Sequence, residues 1–327
     1  MKYSNEQLIN MYEKMVLSRV YEETAIELLG QGRIQGGAWH LAIGQEASQV
    51  GCLSALGPKD FYEPTFRNHG LLATRMDINK FTAECLCKET GYARGKSAVV
   101  HVSCIEDRIL PINGILGAGM PIAVGYAVAL KRRNTDSVVV ASIGDGASNE
   151  GNFYEAINLA GIMDAPIVFF VENNGIGFTN PISNATRAQD LSAKGVAVGI
   201  LGVTVDGNDI LAVREAMEAA IEKARLGQPS IVEAKTVRIR PHAEGLSVET
   251  RDPRIIEEAK KNDPIKRYEK ILKDLDLLND DKISEIYSKM KKQSMDAFEY
   301  GLASPYPSKE SICDISLVYK TLGGDLA

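Results

Sequence analysis

Between Ser137 and Asn174 two short apolar runs flank one helical stretch. The first, S-V-V-V-A-S-I, is rich in β-branched residues, as a strand covered on both faces of a parallel sheet should be. G-D-G-A-S-N-E-G follows, so Asp145 stands just past the strand's carboxyl end. From Asn149 to Met163, Phe153, Ile157, Ala160 and Gly161 recur at helical spacing, with a Ser/Asn cap expected before them and Glu150 in the first turn. The second run, Ile167 to Val171, ends in Glu172-Asn173-Asn174. A right-handed crossover makes two such strands parallel, and both carboxyl ends then open into the crevice where open α/β sheets bind ligands. The spacing predicts that Asp145 and Asn174 meet there.

Chemically, a carboxylate beside an amide oxygen suits a hard divalent cation that shares its octahedron with water and phosphate, which describes magnesium better than zinc. Gly144 and Gly146 let backbone approach a phosphate closely, and a helix starting after Gly146 is expected to offer free N–H groups to the same anion. Taken singly, D-G reads as a tight turn and N-N-G as a loop. Their joint spacing in a βαβ unit points instead to a magnesium-diphosphate clamp.

With those residues in place, the run from Gly144 through Asn174 resembles the thiamine diphosphate motif of the alpha subunits of the first component of 2-oxo acid dehydrogenase complexes, pyruvate and acetoin dehydrogenases among them. Further blocks are similar to that family in the same order: G-G-A-W-H-L-A-I-G-Q-E-A (36–47), F-R-N-H-G (66–70), N-G-I-L-G-A-G-M-P-I-A-V-G-Y-A (113–127), V-D-G-N-D-I-L-A-V (205–213) and D-P-I-K-R-Y (263–268). The resemblance implies a thiamine diphosphate-binding α/β fold, a mostly parallel sheet with helices on both faces plus helical N- and C-terminal extensions. It also implies thiamine diphosphate and magnesium as cofactors.

By the same resemblance, Asp145 and Asn174 bind the metal together with the backbone carbonyl of Ile176. Arg67 and Arg238 reach the diphosphate, with Phe66, Gly146 and Ala147 beside it, and Gly114 and Leu116 support the bent cofactor. His40, His69 and His242 are the candidate catalytic histidines, with His242 on a loop that folds over the site. The family's activating glutamate belongs to a separate beta subunit, so a partner bearing the pyrimidine-binding half is implied, as two alpha and two beta chains, with a lipoyl-bearing acyltransferase as a further partner.

Composition agrees. A chain of 327 residues, 45% hydrophobic, can bury a large core, and a net charge of −6 gives no basic face for nucleic acid. Five cysteines without a C-x-x-C pair suit a reducing cytoplasm, with Cys85 and Cys87 read as lying in a helical pattern. The charged N-terminal helix is no signal peptide, and no apolar stretch reaches the roughly 18 residues that span a bilayer. Residues 115–130 come nearest; their glycines and alanines suggest a closely packed buried helix, with any exposed face a candidate for partner contact. One diphosphate-binding domain over 1–327 is expected, with helical extensions at about 1–60 and 253–327, the second restarting at Asp263-Pro264.

Departures from the family bear on substrate. Phe66 stands where relatives have tyrosine, Gly95-Lys96-Ser97-Ala98-Val99-Val100-His101 is more apolar than G-K-G-G-S-M-H, and Pro241 precedes His242. The expected activity is cleavage of a 2-oxo acid or an acyloin, such as pyruvate or acetoin, with transfer to a lipoyl acceptor. The alternatives are a carboligase or transketolase-like transferase that uses no lipoyl partner, and an assembly subunit without chemistry.

Overall fold

The computed structural model describes residues 2–35 and 39–314. It opens with α1 (Asn5–Gly30), started by a capping box in which Ser4 accepts from the Gln7 amide and the Gln7 side chain accepts from the Ser4 amide. Then come α2 (Glu46–Ser54), β1 (Phe61–Glu63), α3 (His69–Ala73) and α4 (Ile78–Cys85). The α/β series continues with α5 (Gly119–Arg132), β2 (Val139–Gly144), α6 (Gly151–Ile162) and β3 (Ile167–Asn173). A small hairpin, β4 (Ile176–Gly177) with β5 (Asn180–Pro181), precedes β6 (Leu201–Asp206), α7 (Ile210–Arg225) and β7 (Ser230–Lys235). Helices α8 (Pro253–Lys261), α9 (Pro264–Asp274), α10 (Asp280–Ala303) and α11 (Lys309–Cys313) complete the described chain.

The main sheet is wholly parallel in the order β1-β2-β3-β7-β6. Its central strands are apolar along their length because both faces are covered. Val140, Val168, Phe170 and Val232 face one core, which α1, α2 and α7 join, while Val139, Ala141, Phe169, Val171 and Ile231 face the other, with α5 and α6. Replacing a fully buried Phe169 or Phe170 by alanine is expected to cost about 3–5 kcal/mol, measurable by denaturant unfolding. Gly144 pairs with Glu172, so the ends of β2 and β3 lie level and the turns after them share one edge.

Several boundaries differ from the sequence reading. Helix α6 starts at Gly151, with Glu150 as an N-cap that makes no side-chain bond; Ser148 and Asn149 lie in a preceding 3-10 turn and donate back to the Asp145 carbonyl. The expected helix over 115–130 begins only at Gly119 and is half-buried, with Met120, Ala123, Val124, Ala127 and Leu130 inward and Ile122, Gly125 and Ala129 outward. Cys87 lies past the end of α4 with φ of 57°, outside the helical pattern expected for it. Asp263 and Pro264 start α9 as anticipated, the carboxylate capping the Ile265 and Lys266 amides. Residues 36–38 of the first family block and the tail of the C-terminal extension beyond 314 lie outside the described residues.

Candidate active site

A cavity of about 510 Å³ opens at the carboxyl ends of β2 and β3, a volume suited to a small organic ligand. Asp145, Gly146, Ala147, Asn174 and Ile176 are among the residues that line it, as are Phe66, Arg67, Leu116 and His242. Asp145 and Asn174, which the spacing predicts to meet, both line this cavity.

Asp145 is 3% exposed. Its Oδ1 accepts from the Gly146 amide at 2.9 Å, whereas its Oδ2 is buried with no hydrogen-bond partner. Burial raises the carboxyl above its ordinary range, partly offset by the Gly146 amide and the nearby Arg67. An orphaned carboxylate oxygen facing a cavity is an acceptor waiting for a cation or a donor. The Gly146 amide is thus engaged locally, and the α6 N-terminus lies further along, in place of the free N–H groups expected just after Gly146. Gly146 and Gly177 pack so closely that a Cβ on either would stand 3.1 Å from the other's Cα, which brings the turn after β2 against β4.

Two arginines crowd the same region. The Arg67 Nη1 donates to the carbonyls of Leu41 and His242, at 2.9 and 3.1 Å, and its Nη2 lies 3.2 Å from His242 Nδ1. Arg238 is 2% exposed, donates to the Arg240 carbonyl and leaves its Nε without a partner. Neither has a carboxylate within ion-pair distance among the described residues. Burial lowers Arg67 to about 10 and Arg238 to about 9, the second helped by the Arg67 and Arg251 charges. Both remain cationic at neutral pH, so the site holds two buried guanidiniums with no direct ion pair among the described residues. A guanidinium only donates, so His242 Nδ1 accepts and its hydrogen sits on Nε2. Burial first, and then the Arg67, His40 and Arg238 charges, push His242 down to about 3, so its imidazole is neutral.

The other expected residues are placed unevenly. His40 is outside the lining but packs against two lining residues, its ring 4.9 Å from that of His242 and 4.6 Å from that of Phe66. His69 begins α3, is fully buried edge-on to Trp39, and does not line the cavity. Gly114 is exposed beside the His101 ring, and Arg238 lies just beneath the lining residues.

Other residues gained no role from the sequence. Phe178 caps His242 edge-on at 4.8 Å and is 56% exposed. Gly44, with φ of +100°, presses its backbone onto the segment carrying Arg238: a Cβ there would stand 2.5 Å from the Val237 carbonyl oxygen. Glu172 and Gln45, inside quoted motifs, line the cavity floor. Glu63, at the end of β1, lines it too; its Oε2 is buried without a partner, and burial raises its carboxyl to about 8. Strand β1 is too short for its alternation to have shown that Glu63 points inward.

Glu63 has a measurable consequence. Between the ordinary carboxyl value and about 8 the folded chain keeps this proton and the unfolded chain releases it, so stability falls as pH rises through that window. Glu63→Gln is expected to flatten this slope and to be more stable than the parent at pH 8 by about 4 kcal/mol, each pH unit across the window being worth about 1.4. Thermal unfolding at pH 5 and pH 8 checks it; a slope unchanged by the substitution rejects the assignment. Glu22, likewise raised to about 8 by burial, leaves a residual slope.

A family model described as dehydrogenase E1 component matches residues 12–310. The chain belongs to the dehydrogenase E1 component family. It is 36% identical over 326 residues to the alpha subunit of acetoin:2,6-dichlorophenolindophenol oxidoreductase from Bacillus subtilis (strain 168), covering 98% of this chain and 96% of that one. It is 33% identical over 321 residues to the pyruvate dehydrogenase E1 component subunit alpha of Rhizobium meliloti (strain 1021), covering 97% and 90%. The corresponding subunit of Zymomonas mobilis is 34% identical over 321 residues, covering 96% and 90%. Dehydrogenase names favour the oxidoreductase reading over the carboligase one. Membership in the E1 family implies thiamine diphosphate, and the residues present fit it: buried guanidiniums without a direct ion pair suit a diphosphate, and the orphaned Asp145 oxygen suits a cation held against it. No helix among the described residues is long and apolar enough to cross a membrane.

Proposed function

We propose that this E1 chain is the alpha subunit of an enzyme that cleaves pyruvate, acetoin or a close relative and passes the acyl or aldehyde unit to a lipoyl acceptor. The observation that carries the reading is the pairing of two buried arginines lacking carboxylate partners with a buried carboxylate oxygen lacking a donor, at one sheet edge.

When bound, thiamine diphosphate supplies a thiazolium carbon nucleophile and a sink for the electrons released on carbon–carbon cleavage. In this reading Arg67 and Arg238 hold the diphosphate, with Phe66, Gly146 and Ala147 beside it. Asp145, Asn174 and the Ile176 carbonyl hold magnesium, a hard ion suited to oxygen donors. Leu116 and Gly114 support the cofactor's bend. His242 keeps its proton on Nε2 while Arg67 occupies Nδ1, and His40 beside it is the second candidate for proton transfer. His69, edge-on to Trp39, supports the segment that carries His40. Phe178 and Phe66 shield both imidazoles from water.

A beta subunit is the partner in this reading, in an assembly of two alpha and two beta chains with a lipoyl-bearing acyltransferase beyond it. The alpha-subunit names of the relatives support it, as do the exposed apolar Ile115, Leu116 and Ile122 next to the cavity. The chain is read as one diphosphate-binding domain with helical ends, working in the cytoplasm, where its free cysteines stay reduced.

The test co-expresses the chain with a beta-type partner and measures cleavage of pyruvate, longer 2-oxo acids and acetoin with an artificial electron acceptor. Turnover of one substrate that requires both thiamine diphosphate and magnesium is the expected result. Cofactor binding without turnover of any of them would move the carboligase alternative ahead.

A further inference from the structure

Resting on the cation site proposed above, we infer that Glu172 and Gln45 are positioning residues that decide which atom of the Asn174 amide is offered to that cation. An asparagine can serve a cation only through its oxygen; turned over, it offers two hydrogens and no lone pair. Something must fix the amide the right way round.

Glu172 begins the relay. It is 3% exposed, and each of its oxygens accepts from two side chains. Oε1 takes Ser48 Oγ at 3.0 Å and Gln45 Nε2 at 3.3 Å, while Oε2 takes Asn68 Nδ2 at 3.2 Å and Gln49 Nε2 at 3.4 Å. The amide NH2 groups of Gln45, Gln49 and Asn68 all point at its two oxygens, and an NH2 can only donate. Toward Gln45, Glu172 therefore accepts. Gln45 must turn its NH2 toward it, and the planar amide then presents Oε1 on its other side. That oxygen accepts from Asn174 Nδ2 at 3.1 Å. With its nitrogen committed, Asn174 turns Oδ1 the opposite way, where it takes the Ile176 amide at 3.3 Å and keeps a second lone pair.

The preceding asparagine is oriented in the same manner by a different carboxylate. Asn173 Nδ2 donates to Glu233 Oε1 at 2.7 Å, and the Glu233 Oε2 is taken by the Ser192 amide and Thr204 Oγ1 at 3.1 and 2.9 Å. Asn173 Oδ1 is thereby free to accept the Gly175 amide at 3.0 Å, which sets the turn leading to Ile176. In the run E-N-N, one amide shapes the turn and the other is aimed at the cation, each polarised by its own buried carboxylate.

The relay makes a specific demand under substitution. Glu172→Gln supplies an NH2 that Gln45 can accept from, so Gln45 and then Asn174 are able to turn over together. Adding Gln45→Glu restores the order: the carboxylate introduced at position 45 accepts from both the amide introduced at position 172 and Asn174, and Asn174 again presents oxygen. The buried charge is the same in this double variant as in the parent, one carboxylate among amides.

The experiment measures Mn2+ binding by electron paramagnetic resonance in the assembled alpha–beta enzyme with thiamine diphosphate. Glu172→Gln and Gln45→Met are each expected to weaken Mn2+ binding by about 10–100-fold, as loss of a group that orients a metal ligand does, and the double variant to return to within about three-fold of the parent. A folded Glu172→Gln protein that binds Mn2+ as tightly as the parent, or a double variant no better than the single one, overturns the relay. If Glu172→Gln does not fold, Gln45→Met decides alone, and unchanged Mn2+ affinity there overturns it. Asp145→Asn runs alongside: Mn2+ binding untouched by that change removes the cation site itself, whereas binding lost there but kept in the Gln45 and Glu172 variants removes only the relay.

Discussion

Asp145→Asn is expected to weaken magnesium-dependent thiamine diphosphate binding by at least about 100-fold while leaving the fold intact, the loss of one fully desolvated charge interaction being worth about 3 kcal/mol or more. The substitution keeps an oxygen to accept the Gly146 amide, so the turn after β2 survives. It removes the negative charge whose outer oxygen has no other partner. In the free chain that charge is unfavourable, since burial already holds the Asp145 carboxyl above its ordinary range. The variant should therefore match or exceed the parent in thermal stability without cofactor and fall below it when magnesium and thiamine diphosphate are present. Calorimetric titration and thermal unfolding with and without both cofactors give the two readouts. A variant that binds as the parent does would remove Asp145 from the site.

Arg67→Gln is the second large effect. The guanidinium bridges the Leu41 carbonyl, the His242 carbonyl and His242 Nδ1, tying the segment before α2 to the loop that carries His242. Losing those bonds costs the free chain about 3 kcal/mol, at about 1 each. Burial of the charge opposes this, since the lowering of Arg67 to about 10 corresponds to roughly 3 kcal/mol of unfavourable desolvation. The two nearly cancel, so thermal stability without cofactor should move by only a few degrees. Diphosphate affinity has no such compensation. It should fall by about 100-fold, because a glutamine replaces a forked cation with a neutral amide. Inorganic diphosphate as competitor makes the measurement independent of turnover. A large stability loss with affinity retained would mean that Arg67 is a structural staple only.

These variants separate what was legible along the chain from what was not. The unit from β2 through α6 to β3 could be read because each piece announces itself locally: β-branched runs buried on both faces, helical spacing, and a G-D-G and an N-N at the two carboxyl ends. The restart at Asp263-Pro264 was readable for the same reason, through capping chemistry. Local signals misplaced the start of α6, because Ser148 and Asn149 spend their side chains on the Asp145 and Gly146 carbonyls and leave Glu150 to open the helix. They also overstated the burial of α5, since a stripe of small residues looks alike whether it packs inward or lies on the surface.

Residue type and spacing alone determined the α/β class, the parallel pair of strands, and the placing of Asp145 and Asn174 at one cavity. Those features follow from side-chain periodicity and the handedness of one crossover, both of which act over short stretches of chain. Tertiary structure alone decided the rest. It stacked His69 edge-on against Trp39, brought His242 to the cavity, left the Glu63 Oε2 buried without a partner, and joined Gln45, Glu172 and Asn174 into one relay. Each of these depends on residues far apart in sequence, and its geometry exists only once the helices have packed onto both faces of the sheet.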